Sequence, residues 1–144
     1  MKTILTLALI FSLIGTLSSQ GPKPCNPDGF ASECIPKLST GFNFLKSYKI
    51  DGEGGAKDKI EFSYVFTKGT QYMINLCTGE TPPDGIVLTM FDSSRNRVIT
   101  NKVNGQVLTA ISYACNATGI YYLQYTFDGS ANKCGGSVVG FKRQ

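Results

Sequence analysis

From Lys59 to Phe127 the chain runs in short stretches that alternate apolar and polar residues and break at Gly, Asn, Asp or Pro. Alternation at period two is what a half-buried β-strand requires, because successive side chains leave opposite faces of a sheet. In Ile60-Glu61-Phe62-Ser63-Tyr64-Val65-Phe66 the rings share one face and Glu61 and Ser63 the other. The same pattern predicts strands over Phe42–Ile50, Gln71–Cys77, Arg97–Val103, Gln106–Cys115, Ile120–Phe127 and Gly136–Phe141. Gly85–Asp92 is apolar on both faces, which suits a central strand. Turns fall at Lys68-Gly69, Asp92-Ser93-Ser94-Arg95-Asn96, Asn104-Gly105 and Asp128-Gly129-Ser130; Asn-Gly is the strongest of these hairpin signals. Pro82-Pro83 cannot continue a ladder, since proline has no N–H to give. The pattern predicts an all-β fold: one jelly-roll-like antiparallel sandwich of about eight strands, with no helix after the leader.

The leader is read from Met1-Lys2-Thr3 and the apolar run Ile4–Leu17, followed by small residues Thr16, Ser18 and Ser19. This is a secretory signal over 1–19, and the apolar run is shorter than the ~20 residues that span a bilayer. The expectation is an extracytoplasmic protein, whether secreted, periplasmic or attached to the cell surface. About 125 residues remain, enough for one core and too few for two. Residues 20–41 read as an irregular, disulfide-pinned segment rich in Pro, Gly and Ser, and residues 42–144 as the sandwich.

Charge and chemistry narrow the function. The net charge of +4 falls to about +3 without Lys2, and the lysines are scattered, whereas nucleic-acid binding calls for a concentrated basic patch. The chain has no histidine, which removes Ser-His-Asp and Cys-His catalysis. Its carboxylates lie mostly in predicted loops, so a catalytic residue is not expected, and neither is a cofactor. Asp51, Glu53 and Asp58 share a Gly-rich loop and are weak calcium candidates, although their spacing fits no standard calcium loop. The Asn116-Ala117-Thr118 sequon carries weight only in a eukaryotic host.

An exported chain with five cysteines is expected to hold disulfides. Cys25 and Cys34 flank a Pro/Gly loop and form the easiest local pair; Cys77 with Cys115 is the preferred second pair, leaving Cys134 unpaired. Sequence alone does not fix connectivity. Zinc is disfavoured by the missing histidines and the lack of a Cys-x-x-Cys pair. Tyr121, Tyr125, Val138 and Phe141 form a candidate interaction surface, the first two on an aromatic strand and the others on the apolar C-terminal strand.

Part of the chain also resembles a known pattern. Phe62-Ser63-Tyr64-Val65-Phe66-Thr67-Lys68-Gly69, Tyr72-Met73-Ile74-Asn75-Leu76, Val87-Leu88-Thr89-Met90-Phe91-Asp92 and Thr118-Gly119-Ile120-Tyr121-Tyr122-Leu123 are similar to successive strands of prepeptidase C-terminal (PPC) domains, the last to their Gly-x-Tyr-Tyr signature. The resemblance covers about residues 60–127. The chain is also similar to small secreted proteins of Bacteroidota that carry such a sandwich and have no firm function. The resemblance implies a non-catalytic binding or accessory module of the cell envelope, engaging an envelope or secreted protein or a surface glycan. The alternative expectation is a structural subunit that docks through its C-terminal strand or an unpaired cysteine.

Overall fold

A computed structural model describes residues 25–78, 85–129 and 133–144. The predicted signal over 1–19 lies outside these residues. Two four-stranded antiparallel sheets pack face to face. One has the order β1-β10-β3-β8 and the other β2-β9-β4-β5. The strands are β1 (Asn43–Asp51), β2 (Lys59–Phe66), β3 (Thr70–Cys77), β4 (Ile86–Phe91), β5 (Arg97–Thr100), β8 (Ala110–Ala114), β9 (Gly119–Phe127) and β10 (Cys134–Arg143). Between β5 and β8 a small hairpin, β6 (Lys102–Val103) with β7 (Gln106–Val107), turns at Asn104-Gly105, both at positive φ. This strand order is that of a jelly roll, in which two Greek keys place most chain neighbours in opposite sheets, the β4–β5 hairpin excepted. The eight sandwich strands agree with the period-two reading, and β4 is interior to its sheet, as its two apolar faces predict.

The core fills the space between the sheets. Ile50, Ile74, Leu76 and Val139 from the first sheet meet Ile86, Leu88, Met90 and Leu123 from the second. Phe66 lies between two rings, its centroid 3.9 Å from Tyr72 and 5.2 Å from Tyr121. Some of the polar groups inside are tied off, although the Tyr48 hydroxyl and Asn75 Oδ1 are buried without a hydrogen-bond partner among the described residues. Tyr125 donates to Ser137 Oγ at 2.7 Å, and Ser137 donates to the Asn75 carbonyl at 3.1 Å, which links the two sheets. Asn101 ends β5. Its Oδ1 accepts from Leu88 N, and its Nδ2 donates to the carbonyls of Ile86 and Leu108, so one amide fastens the β6–β7 hairpin to β4.

The N-terminal segment is where the sequence reading fails. Pro27–Cys34 forms an α-helix, α1, followed by a 3-10 turn at Ile35–Lys37. Asn26 caps the helix by accepting from Gly29 N at 3.1 Å, Pro27 occupies its first turn and Asp28 meets the positive end of its dipole. The helix lies on the outer face of the first sheet. Gly136 of β10 is its seat: a Cβ there would come within 2.2 Å of Ala31 N. Gly140 similarly faces Leu38, where a Cβ would meet the side chain at 2.8 Å.

The helix also overturns the cysteine pairing. Over α1 the helical rise carries the chain about 10 Å from Pro27 to Cys34, beyond a disulfide's reach. Cys25 instead bridges to Cys134, and Cys34 to Cys77. Cys115 could not have reached Cys77. Its N–H bonds Thr70 O at the far end of β3, about 23 Å of strand away. Cys115 is therefore the free thiol and is buried; Cys134 is not unpaired. Segment 20–41 is thus not pinned by a bridge of its own where it is described, but stapled to β3 and to the start of β10.

Candidate functional site

The C-terminal strand does not supply a docking edge. β10 runs between β1 and β3, paired on both sides, and every residue from Cys134 to Gly140 is buried. Val138 packs under α1 beside the Cys34–Cys77 bridge. Tyr121 and Tyr125 point into the core, and Phe141 packs against it. The four residues expected to form an interaction surface are thus core or near-core, and the expected routes through a terminal strand or a free Cys134 are both closed. The reasons are local: β10 is an interior strand, Tyr121 and Tyr125 face the other sheet, Cys134 is bridged to Cys25, and α1 covers Val138.

The calcium candidates are also engaged elsewhere. Asp51 Oδ1 accepts from Glu53 N at 2.8 Å, Glu53 pairs with Lys57 at 2.7 Å, and Asp58 pairs with Lys133 at 3.3 Å. Among the described residues no three metal-ligating side chains come together.

Among the described residues, nothing covers the outer face of the second sheet. Register builds it in rows: Glu61, Gln124, Thr89 and Thr100 lie across β2, β9, β4 and β5; Ser63, Tyr122, Phe91 and Arg97 form the next row; Val65 and Ile120 sit opposite each other beyond it. Val65 is 55% exposed and Ile120 45%, an apolar pair open to solvent. Beside them is a shallow depression of about 460 Å³ lined by Ser63, Tyr64, Val65 and Ile120.

Arg95 organises the centre of this face. It stands in the β4–β5 turn at φ 66°, the left-handed region that a side chain other than glycine seldom adopts. Asp92 holds the turn there. Its Oδ1 accepts from Ser94 N and Asn96 N, both at 2.9 Å, and its Oδ2 accepts from the Asn96 amide. The bonds from Asn96, backbone first, lower the Asp92 pKa. From this turn the Arg95 guanidinium lies 3.5 Å from the centroid of Tyr122 and donates to Glu61 Oε2 at 2.9 Å. Gln124 donates to the same oxygen at 3.2 Å. Partial desolvation pushes the Glu61 carboxyl up. Hydrogen bonds from Arg95 and Gln124 and the charges of Arg95 and Lys59 outweigh it and leave the pKa lowered. The arrangement presents a fixed guanidinium, aromatic and aliphatic groups, and one carboxylate whose charge Arg95 balances.

No residue of this face is among the expected binding groups: the two tyrosines expected on this strand, Tyr121 and Tyr125, face the core, and Tyr122 between them faces outward. Arg95 carried no sequence signal beyond its place in a turn.

No family model matches the chain, and no curated protein matches its sequence. Among solved structures, it is similar to PliG of Aeromonas hydrophila, a periplasmic lysozyme inhibitor of g-type lysozyme. The identity is 15%, the TM-score 0.43, and the match covers 74% of this chain and 91% of that one. At that score the likeness carries no functional information.

Proposed function

We propose that the protein is a non-catalytic, exported binding module that holds another envelope or secreted protein on the outer face of its second sheet. The single observation behind this reading is Arg95, kept in a left-handed conformation by Asp92 and laid over Tyr122 on an otherwise open face. Strained backbone at an exposed side chain is retained where the side chain has a task. Arginine and tyrosine beside exposed aliphatics are also the composition that dominates binding energy at protein interfaces. α1 covers the first sheet's outer face over β1, β10 and β3, while among the described residues nothing covers that of the second. Two disulfides support an oxidising, extracytoplasmic location. The scaffold's resemblance to PPC domains fits an accessory role of this kind.

A protein partner is favoured over a glycan. A sugar stacks on an open aromatic face, and the guanidinium already covers that of Tyr122. Of the other rings of the strand, Tyr121 and Tyr125 are buried and Phe127 packs against the core. The test is a photo-cross-linking residue introduced at Ile120, with a control at Ser39 on the helix-covered side. A protein adduct from Ile120 that is absent at Ser39, and that weakens when Arg95→Ala is added, is the expected result. No adduct at Ile120, or the same adduct from both positions, would reject the reading.

A further inference from the structure

The sandwich ends in four edge strands, and three of them are blunted. β1 carries a register shift between Phe44 and Lys46 and presents Lys46 and Lys49. β5 is four residues long with a shift in its pairing, and β8 is five residues long. Bulges, short length and lysines are the devices that keep sheet edges from pairing with other chains. β2 differs: it runs eight residues in unbroken register with β9, and while its first half carries Lys59 and Glu61 outward, Ser63 and Val65 in its second half are uncharged. Among the described residues no other segment bonds the backbone along its free edge.

We infer that β2 is a strand-addition site and that its occupant is an extended segment of the partner protein in which apolar and acidic residues alternate. The inference rests on the docking role proposed for this sheet and specifies how the partner engages it. Side chains of an added strand would fall alternately on the two faces of the sheet. On the outer face they meet the depression lined by Ser63, Tyr64, Val65 and Ile120, where the exposed side chains of Val65 and Ile120 suit a valine or isoleucine. On the opposite side of the edge stands Lys46, its ammonium 5.6 Å from the ring of Tyr48 and 5.9 Å from that of Tyr64. Lys46 makes no ion pair with a described carboxylate, and Lys59 stands exposed at the start of β2. Lys46 favours acidic residues on its side of the incoming strand, whereas Lys59 lies on the outer face beside Glu61 and takes no part in this alternation. Period two in the site thus dictates period two in the ligand.

The probe is a short capped peptide in which aspartates alternate with valines, compared with the same peptide N-methylated at alternate amides to block one backbone edge. Amide chemical shifts and hydrogen exchange are followed on the intact secreted protein at about 1 mM peptide. The expected result is shifts confined to Lys59–Phe66 and their neighbours, with exchange of β2 amides slowed about tenfold or more. The N-methylated peptide should not bind, and Val65→Lys or Lys46→Glu should each weaken the parent peptide about fivefold or more. Equal binding of both peptides would overturn strand addition while leaving docking on the face intact, which the Ile120 cross-link tests separately. No binding of the alternating peptide would overturn the inference, as would sedimentation showing that β2 is already occupied by a second copy of the chain.

Discussion

Removing the Cys34–Cys77 bridge should cost far more than its position at the edge of the molecule suggests. The bridge closes a loop of 43 residues, and in the chain-entropy account such a closure stabilises the native state by about 4 kcal/mol at 25 °C. The Cys25–Cys134 bridge spans 109 residues and corresponds to about 4.8 kcal/mol by the same reckoning. Together they approach the whole stability of a typical domain, roughly 5–15 kcal/mol. Replacing Cys34 and Cys77 by serine should therefore lower Tm by about 12–20 °C, and reduction of both bridges should leave the protein largely unfolded at 37 °C. The assay is thermal and urea unfolding of the double variant, and of the parent protein with and without reductant. It is paired with non-reducing digestion after Glu and Lys, which cuts behind Glu33, Lys37 and Lys133. The fragment holding Cys25 should then emerge joined to the one that begins at Cys134, and the fragment Cys34–Lys37 joined to the one holding Cys77. A Tm loss under about 3 °C would refute the energetic argument. A fragment joining Cys25 to Cys34, or any bridge through Cys115, would refute the placement of α1 itself.

Other perturbations test other contacts. Gly136→Ala drives a methyl into the backbone of Ala31 and Phe30 and should cost about 1–3 kcal/mol in urea unfolding, with faster trypsin cleavage at Lys37 as α1 lifts. Asn101→Ala leaves Leu88 N and the carbonyls of Ile86 and Leu108 without their partner and should cost about 3 kcal/mol; Asn101→Asp, which turns an oxygen towards those carbonyls, should be no milder. Burial, with Tyr64 nearby, pushes the Tyr48 hydroxyl up to about 12, and desolvation also raises Tyr121 and Tyr125. Groups raised in the folded state contribute stability below their unfolded pKa, near 10, that is lost as pH climbs towards the folded value. Tyrosinate absorbance at 295 nm should therefore show a late component that rises together with loss of the native fold above about pH 10; smooth ionisation of all seven tyrosines with the fold intact would contradict it.

The strands were legible because their signal is local. Alternation in Ile60–Phe66 or Ile120–Phe127 needs only neighbouring residues, and the structure reproduces it as β2 and β9, with Asn104-Gly105 turning the hairpin between β6 and β7. The helix was not legible for the opposite reason. Its start signal was present, since Asn26-Pro27-Asp28 is a cap, a first-turn proline and a favourable acid in order. A helix of eight residues is too short to be stable alone, however, and what holds α1 is Gly136 and Cys77, over 40 residues or more of intervening chain. The cysteine pairing went wrong with it: once the loop between Cys25 and Cys34 is a helix, proximity in sequence becomes separation in space.

The candidate site was half legible, and the missing half lies in β10. Alternation sorts side chains between two faces but does not say which face another part of the chain will cover. The run Cys134-Gly135-Gly136-Ser137-Val138-Val139-Gly140 reads as an apolar strand free to meet a partner. A docking face gains its energy from bulky side chains, yet Gly136 and Gly140 fall on the same face with Val138 between them. Glycine at alternate positions strips that face to the backbone, and a bare backbone strip is a socket for something that must approach closely. Here the occupant is α1, with Ala31 against Gly136 and Leu38 against Gly140. Closing that face with the chain's own helix leaves the Arg95–Tyr122 face of the second sheet free, and the bulky residues that β10 lacks stand there as Val65, Ile120, Tyr122 and Phe91. The glycines that ruled out one interaction surface are therefore the same residues that point to the other.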